Sequence, residues 1–357
     1  MKQFSILVIN PGSTSTKIGV YQNNTPVLIK KLHHSNKDLT RFQSIIDQYE
    51  FRKEAIVKEL ESAEISLSDI DIVVARGGLV RPISSGIYEV NERMIHDLRI
   101  GLMGEHASNL GGLIAANLIQ SIPDAKAYIA DPVVVDELQD VARITGLPEF
   151  KRASIFHALN QKAVARRHAR SINRNYVNIN LIVAHLGGGI SVGAHKKGKV
   201  IDVNNALDGD GPFSPERSGS LPARQLLQLA YSGKYTEEQI SKMITGTGGL
   251  MAYFGTNDAY EIEKRACNGD AECQLMQDAM AYQVGKAIGE AAAVLHGEVD
   301  GILITGGIAN NRHICEYIRE MTKFIAPVIV YPGEDELAAL AENGLMILND
   351  SCKANEY

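Results

Sequence analysis

The feature that most constrains this chain is a strand hairpin with a polar, glycine-bearing tip that occurs twice. Phe4 to Ile9 is a short apolar run closed by Asn10-Pro11-Gly12, and Lys17 to Tyr21 resumes as a second strand, the pattern of a hairpin around a Gly/Ser/Thr loop. Leu181-Ile182-Val183-Ala184 runs in the same way into His185-Leu186-Gly187-Gly188-Gly189. Ser191-Val192-Gly193-Ala194 then leaves it, and Lys196-Lys197-Gly198-Lys199 turns into Val200-Ile201-Asp202. His185 and Gly187 stand 175 positions after Asn10 and Gly12. Solenoid repeats have periods of roughly 20–50 residues, so a period this long fits a duplicated domain instead. Two facing copies would leave a cleft between their tips.

Alternating elements fill the space between the hairpins. A helical stretch near Arg41–Ser62, an apolar strand Ile70–Ala75, a helix near Glu105–Ser121 and a strand Ala127–Ala130 ending on Asp131-Pro132 make up the first half. The second half has a helix Ala223–Ser232, a long helix near Gln274–His296 and a strand Gly301–Thr305 that runs into Gly306-Gly307. This is α/β alternation. The last helix carries Leu337, Leu340, Ala341, Gly344, Leu345 and Leu348 on one face, a stripe that must pack on a core. At 357 residues the chain exceeds the roughly 250–300 residues at which one core stops growing. Two domains are expected.

Composition narrows the function. With 45% hydrophobic and 22% charged residues, 32 Gly and no Trp, the chain reads as a Gly-rich globular α/β protein. A net charge of −6 disfavours a broad cationic surface for nucleic acid while leaving room for a local nucleotide pocket. Cys267, Cys273, Cys315 and Cys352 lack the paired spacings of a zinc site and read as reduced thiols. The amino terminus has no signal-peptide pattern and no run reaches the length of a membrane span, so a cytoplasmic protein without membrane contact is expected.

Chemistry concentrates in three glycine-bearing loops. Glycine at a strand tip lets main-chain N–H groups converge on phosphate oxygens. Asn10 to Lys17 adds hydroxyls and a Lys, Gly187-Gly188-Gly189 empties a second tip, and Gly306-Gly307 opens a third. Phosphoryl transfer needs cations and donors around the transferred group. Arg217 lies in a loop rich in Pro and Gly, His157 begins a helix, and Asp131 ends a strand, where α/β clefts are lined. By spacing alone Arg217 also fits a surface residue and His157 a structural histidine.

These motifs, in this order, resemble the acetate and butyrate kinase family of the actin-like, sugar-kinase and heat-shock ATPase superfamily, from Phe4 to about Gly344. The resemblance implies two actin-like (ribonuclease H-like) domains. Residues 1–152, with 335–357 returning as a C-terminal helix, would form the acyl side, and 153–334 the nucleotide side. It implies ATP/ADP and Mg²⁺, with Asn10 and Glu336 near the metal and Ser13, Ser15 and Lys17 near the phosphates. His185, Gly187, Gly188, Gly189, Gly306, Gly307, Asn310 and Asn311 would hold the nucleotide. Asp131, His157 and Arg217 would be catalytic, and Phe156 with Arg76 or Arg81 would meet the acyl substrate. Either of Asp335 and Glu336 could serve the metal. Gly188 stands where acetate kinases carry Asn, Glu216 where they carry Thr, and Gly255-Thr256-Asn257 where they carry Asp-x-Arg. These departures point to the butyrate branch.

The implied activity is reversible phosphoryl transfer between ATP and a short-chain carboxylate, linear or branched, giving acyl phosphate and ADP. An acetate or propionate kinase, a sugar kinase and an actin-like ATPase switch are the alternatives. The expected partners are a small carboxylate and further copies of the chain, as a dimer or larger homo-oligomer.

Overall fold

A computed structural model describes residues 3–357 and divides them into two compact units, 3–135 with 335–357, and 136–334. In the first, β1 (Ser5–Pro11), β2 (Ser15–Gln22) and β3 (Thr25–His33) form an antiparallel meander. β4 (Ile72–Arg76) runs parallel to β1, and β6 (Lys126–Ala130) runs parallel to β4. The short β5 (Ile87–Glu89) closes the order β3-β2-β1-β4-β6-β5. The second unit repeats the plan. β7 (Asn180–Leu186), β8 (Ile190–Lys196) and β9 (Lys199–Val203) make the meander, and β10 (Gly301–Gly306) and β11 (Val328–Pro332) extend it in parallel as β11-β10-β7-β8-β9. The duplication expected from the two hairpins is present in five strands of each sheet, β5 having no counterpart in the second.

Burial on both faces explains the apolar runs. β7 is buried throughout, as central strands covered on both sides are. Ile182 and Ala184, with Ile302 and Ile304, share a core with Met280, Val284 and Ile288 of the Ala271–Val294 helix. The alternate residues Leu181, Val183 and Leu303 pack with Val164, Ala165 and Ala169 of the Ala158–Ser171 helix. In the first unit Leu7, Ile9, Val73 and Ala75 meet Ile56 and Leu60 of the Tyr49–Ser62 helix, and Leu110 and Ile114 of the Asn109–Leu118 helix. The Glu336–Leu348 helix covers the opposite face of the same sheet. β3, at the edge, is largely exposed and carries Lys30 and Lys31, which discourage pairing with another strand.

Two expectations are corrected. The helix placed at 41–62 begins at Tyr49, after a short 3₁₀ turn at Ile46–Gln48. Ser44 gives both its main-chain N–H and its hydroxyl to Asp47 Oδ2, at 3.0 and 2.9 Å, a local bond that competes with helix formation. The boundary placed at 152 falls at 135, because the intervening segment is bonded into the second unit. Glu137 Oε2 accepts from buried Lys162 Nζ at 2.6 Å and from Val200 N–H at 2.8 Å. Arg152 Nη1 donates to Asp202 at 2.8 Å. Among the described residues no helix is long and apolar enough to cross a membrane.

The C-terminal helix approaches its sheet through Gly344, where a Cβ would lie 2.9 Å from Val74 Cγ2 and 3.1 Å from Ile6 Cγ2. Gly344→Val overpacks this contact and is expected to destabilise the protein by about 1–3 kcal/mol. Chemical denaturation should show a lower midpoint with an unchanged m value.

Candidate active site

The first hairpin turns through Gly12, Ser13 and Thr14, with Gly12 N–H bonded to the Ser15 carbonyl at 2.7 Å. Its shape is held from below by Arg52, which is 1% exposed. Arg52 Nη1 donates to the Gly12 carbonyl at 2.7 Å, and Nη2 donates to the Ser13 carbonyl at 2.9 Å and to Gln48 Oε1 at 2.8 Å. Burial pushes this guanidinium down to about 10. Among the described residues no carboxylate pairs with it, so its charge is compensated by loop carbonyls. A buried cation under a polar loop favours an anion at that loop. Ser13, Ser15 and Lys17 all lie on the hairpin, with Lys17 directly across from Asn10.

His34 supports the same tip, its Nε2 lying 2.9 Å from Thr16 Oγ1. Burial, then the nearby Arg52 charge, lowers its pKa from 6.5 to about 4. Above 6.5 the ring is neutral in the folded and unfolded chain alike. Between 6.5 and about 4 the unfolded chain takes up a proton that the folded ring refuses, so stability falls as pH falls. Denaturation across that window should show this loss, and His34→Gln should flatten it.

Asn10 is buried at the end of β1, and its Nδ2 donates to Glu336 Oε2. Arg76, ending β4, brings Nη1 to 3.4 Å from Glu336 Oε1. Asp335 is the N-cap of the C-terminal helix, accepting from Ala338 N–H at 3.1 Å, so the two neighbouring acids have different environments. Of the two candidate arginines, Arg76 stands in this cluster. Arg81 does not, because its guanidinium is committed to buried Asp97, at 2.7 and 3.2 Å, with the Tyr357 hydroxyl on the same carboxylate. Asp131 leaves β6 with φ of 38°, a region non-glycine residues populate sparsely and which clusters at functional sites. Its Oδ1 accepts from Ser85 Oγ at 2.6 Å and from Gly86 N–H at 2.9 Å.

The second hairpin turns through Gly187, Gly188 and Gly189. His157 precedes the Ala158–Ser171 helix and stacks on His185, ring centroids 3.7 Å apart and planes 9° apart. His157 Nδ1 lies 2.9 Å from Ser191 Oγ. Both ring nitrogens of His185 face oxygen, Asn160 Oδ1 at 2.9 Å and Glu334 Oε1 at 3.1 Å. Arg217 lies across the glycine tip so closely that a Cβ at Gly189 would collide with its Nη1. That Nη1 donates to the Ala206 carbonyl, while the buried Nε has no partner among the described residues. Burial lowers the Arg217 pKa, against the opposing pull of Glu216 and Asp208. Phe156 is 2% exposed and serves as a packed side chain of this unit.

A cavity of about 340 Å³ opens beside this tip, lined by Gly187, Gly188, Gly307, Asn310 and Asn311 together with Asn257 and Tyr260. Gly306, at φ of 95°, turns the end of β10 into it. Two of the three departures from the acetate kinase pattern, Gly188 and Asn257, line it, and the third, Glu216, lies beside both. Asn257 Nδ2 donates to Glu216 Oε2 at 3.1 Å, and a Cβ at Gly188 would stand 3.5 Å from Glu216 Oε1. Sequence reasoning missed Arg52, Asn160 and Gln161. Arg52 had a signal, since it shares the i, i+4, i+8 stripe of Ile56 and Leu60, where a charged residue must be buried.

The crystal structure of acetate kinase from Porphyromonas gingivalis matches this fold with a TM-score of 0.78 at 22% identity, covering 97% of this chain and 100% of that one. The architecture is thus that of two duplicated actin-like domains. Residues 150–329 match the acetokinase family. Butyrate kinase 2 and butyrate kinase 1 of Clostridium acetobutylicum are 54% and 52% identical over 355 and 354 residues, each alignment covering 99% of this chain and 99% of the relative. The chain belongs to the acetokinase family.

Proposed function

We propose that the protein transfers the γ-phosphoryl group of ATP, reversibly, to the carboxylate of a short-chain acid of about butyrate size, giving acyl phosphate and ADP. The observation that carries phosphoryl transfer is Arg217, a buried cation against a glycine tip with a buried N–H that lacks a partner among the described residues. An anion is the ligand that such a group needs. The names of the two butyrate kinase relatives support the acyl size.

A carboxylate is already deprotonated, so the reaction needs alignment and charge stabilisation more than a general base. His157 and Arg217 donate to the equatorial oxygens of the group in flight. Ser13, Ser15 and Lys17 hold phosphates, Arg76 orients the acyl carboxylate, and Asp131, anchored by Ser85 and Gly86, positions the acceptor. The cavity beside Gly188 and Gly307 takes the nucleoside, which makes 136–334 the nucleotide side and the other unit the acyl side. Magnesium suits the donor chemistry at Asn10 and Glu336, because this ion keeps most of its waters and needs only one or two protein oxygens beside the phosphates. Among the described residues no group of three His, Cys, Asp or Glu side chains is arranged to hold a metal ion. When bound, the ion would neutralise phosphate charge.

Trapping acyl phosphate as hydroxamate with MgATP and acids from acetate to hexanoate should give a maximum at butyrate or its branched isomers. A maximum at acetate would move the protein to the acetate kinase branch. Nucleotide turnover without acyl phosphate from any acid would favour an ATPase switch. Arg217→Ala should lower kcat roughly 10³-fold, with secondary structure retained by circular dichroism.

A further inference from the structure

Beneath the second hairpin a run of buried polar side chains leads to His157. Tyr176 Oη lies 2.7 Å from His195 Nδ1, and His195 Nε2 lies 2.9 Å from Gln161 Oε1. Gln161 Nε2 lies 2.8 Å from Ser191 Oγ, which is 2.9 Å from His157 Nδ1. Gln161, Ser191 and His195 have no exposed surface. A side chain on Gly193 would end the contact, since its Cβ would lie 2.6 Å from Gln161 Oε1 and 3.2 Å from His195 Nε2.

The direction of each bond follows from groups that can play only one role. The Ser191 main-chain carbonyl only accepts, and it lies 3.1 Å from one end of the Gln161 amide, which must therefore be the NH₂. Gln161 Oε1 then faces His195, so His195 Nε2 carries a proton. Burial, aided by the charges of Lys162 and Arg166, holds the His195 pKa well below 6.5. The ring is neutral, its Nδ1 accepts, and Tyr176 donates. At the other end Ser191 Oγ receives the Gln161 proton and directs its own to His157 Nδ1. A neutral His157 is left with its proton on Nε2.

We propose that Tyr176, His195, Gln161 and Ser191 form a directed hydrogen-bond chain that fixes His157 as its Nε2–H tautomer, with Gln161 setting the direction. This rests on the reading above, in which His157 donates to the phosphoryl oxygens. The residues of the chain are positioning residues. A donor already oriented before charge develops requires no reorganisation during transfer, and the stack on His185 holds the ring plane.

Nitrogen-15 NMR of histidine-labelled protein should show His157 protonated at Nε2; protonation at Nδ1 would overturn the proposal. Gln161→Glu keeps the shape and, once ionised, offers Ser191 an acceptor in place of a donor. The Ser191 hydroxyl then turns away, and His157 must donate from Nδ1. The variant should reverse the tautomer as its carboxyl group ionises, with kcat falling roughly 10²-fold over the same pH range and KM little changed. In a Ser191→Ala background the Gln161→Glu change should have no further effect on kcat, because the link is already cut. If Gln161→Glu does not fold, Ser191→Ala alone should still shift the His157 Nδ1 resonance, and an unmoved resonance would count against the chain. Full turnover in His157→Ala would sink the catalytic reading of His157, while the tautomer measurement still decides the chain. An inactive His157→Ala beside a Gln161→Glu protein with unchanged tautomer and pH profile would overturn the chain alone.

Discussion

The geometry of the first hairpin depends on the buried guanidinium of Arg52. A loop of Gly, Ser and Thr has no side-chain core of its own, and its inward carbonyls would be costly to bury without donors. Arg52 supplies donors to the carbonyls of Gly12 and Ser13 from a helix below. The second hairpin is held by the same strategy with different chemistry, since Gln161, also on a helix below, donates to the Ser191 carbonyl and hydroxyl. In one copy the support is a charge and in the other an oriented amide. The duplicated scaffold is thus used asymmetrically, with a buried arginine under one tip and a glutamine under the other.

Much of the fold was legible because its signals are local. Apolar runs ending in Asn-Pro-Gly and in Gly-Gly-Gly mark strand ends, and the return of that pattern at Leu181 marks the duplication. The domain boundary was not legible, because what ties residues 136–152 to the second unit is a set of distant partners, Lys162, Val200 and Asp202. The early start given to the 49–62 helix failed for a local reason, the Ser44–Asp47 turn. Within the candidate site, the resemblance supplied residues that no local pattern could join, such as Asn10 and Glu336. It left Arg76 and Arg81 open, and the difference between them lies in Asp97, a buried acid on a separate helix.

The departures from the acetate kinase pattern also change meaning in space. Gly188, Glu216 and Asn257 are far apart in the chain but come together, Gly188 and Asn257 lining the cavity and Glu216 beside both. Glu216 links the other two, bonded to Asn257 and in ordinary contact distance of a side chain at position 188.

The first unit is discontinuous in sequence, and this sets an order for the birth of the protein on the ribosome. Residues 136–334 are all translated before the Glu336–Leu348 helix, which covers one face of the first sheet and carries Glu336 to Asn10. The second unit can thus condense during synthesis, while the first must wait with part of its sheet uncovered. Asn10 is made before the whole of the second unit and its partner Glu336 after it, so a nascent chain cannot assemble this corner until the second unit has been translated.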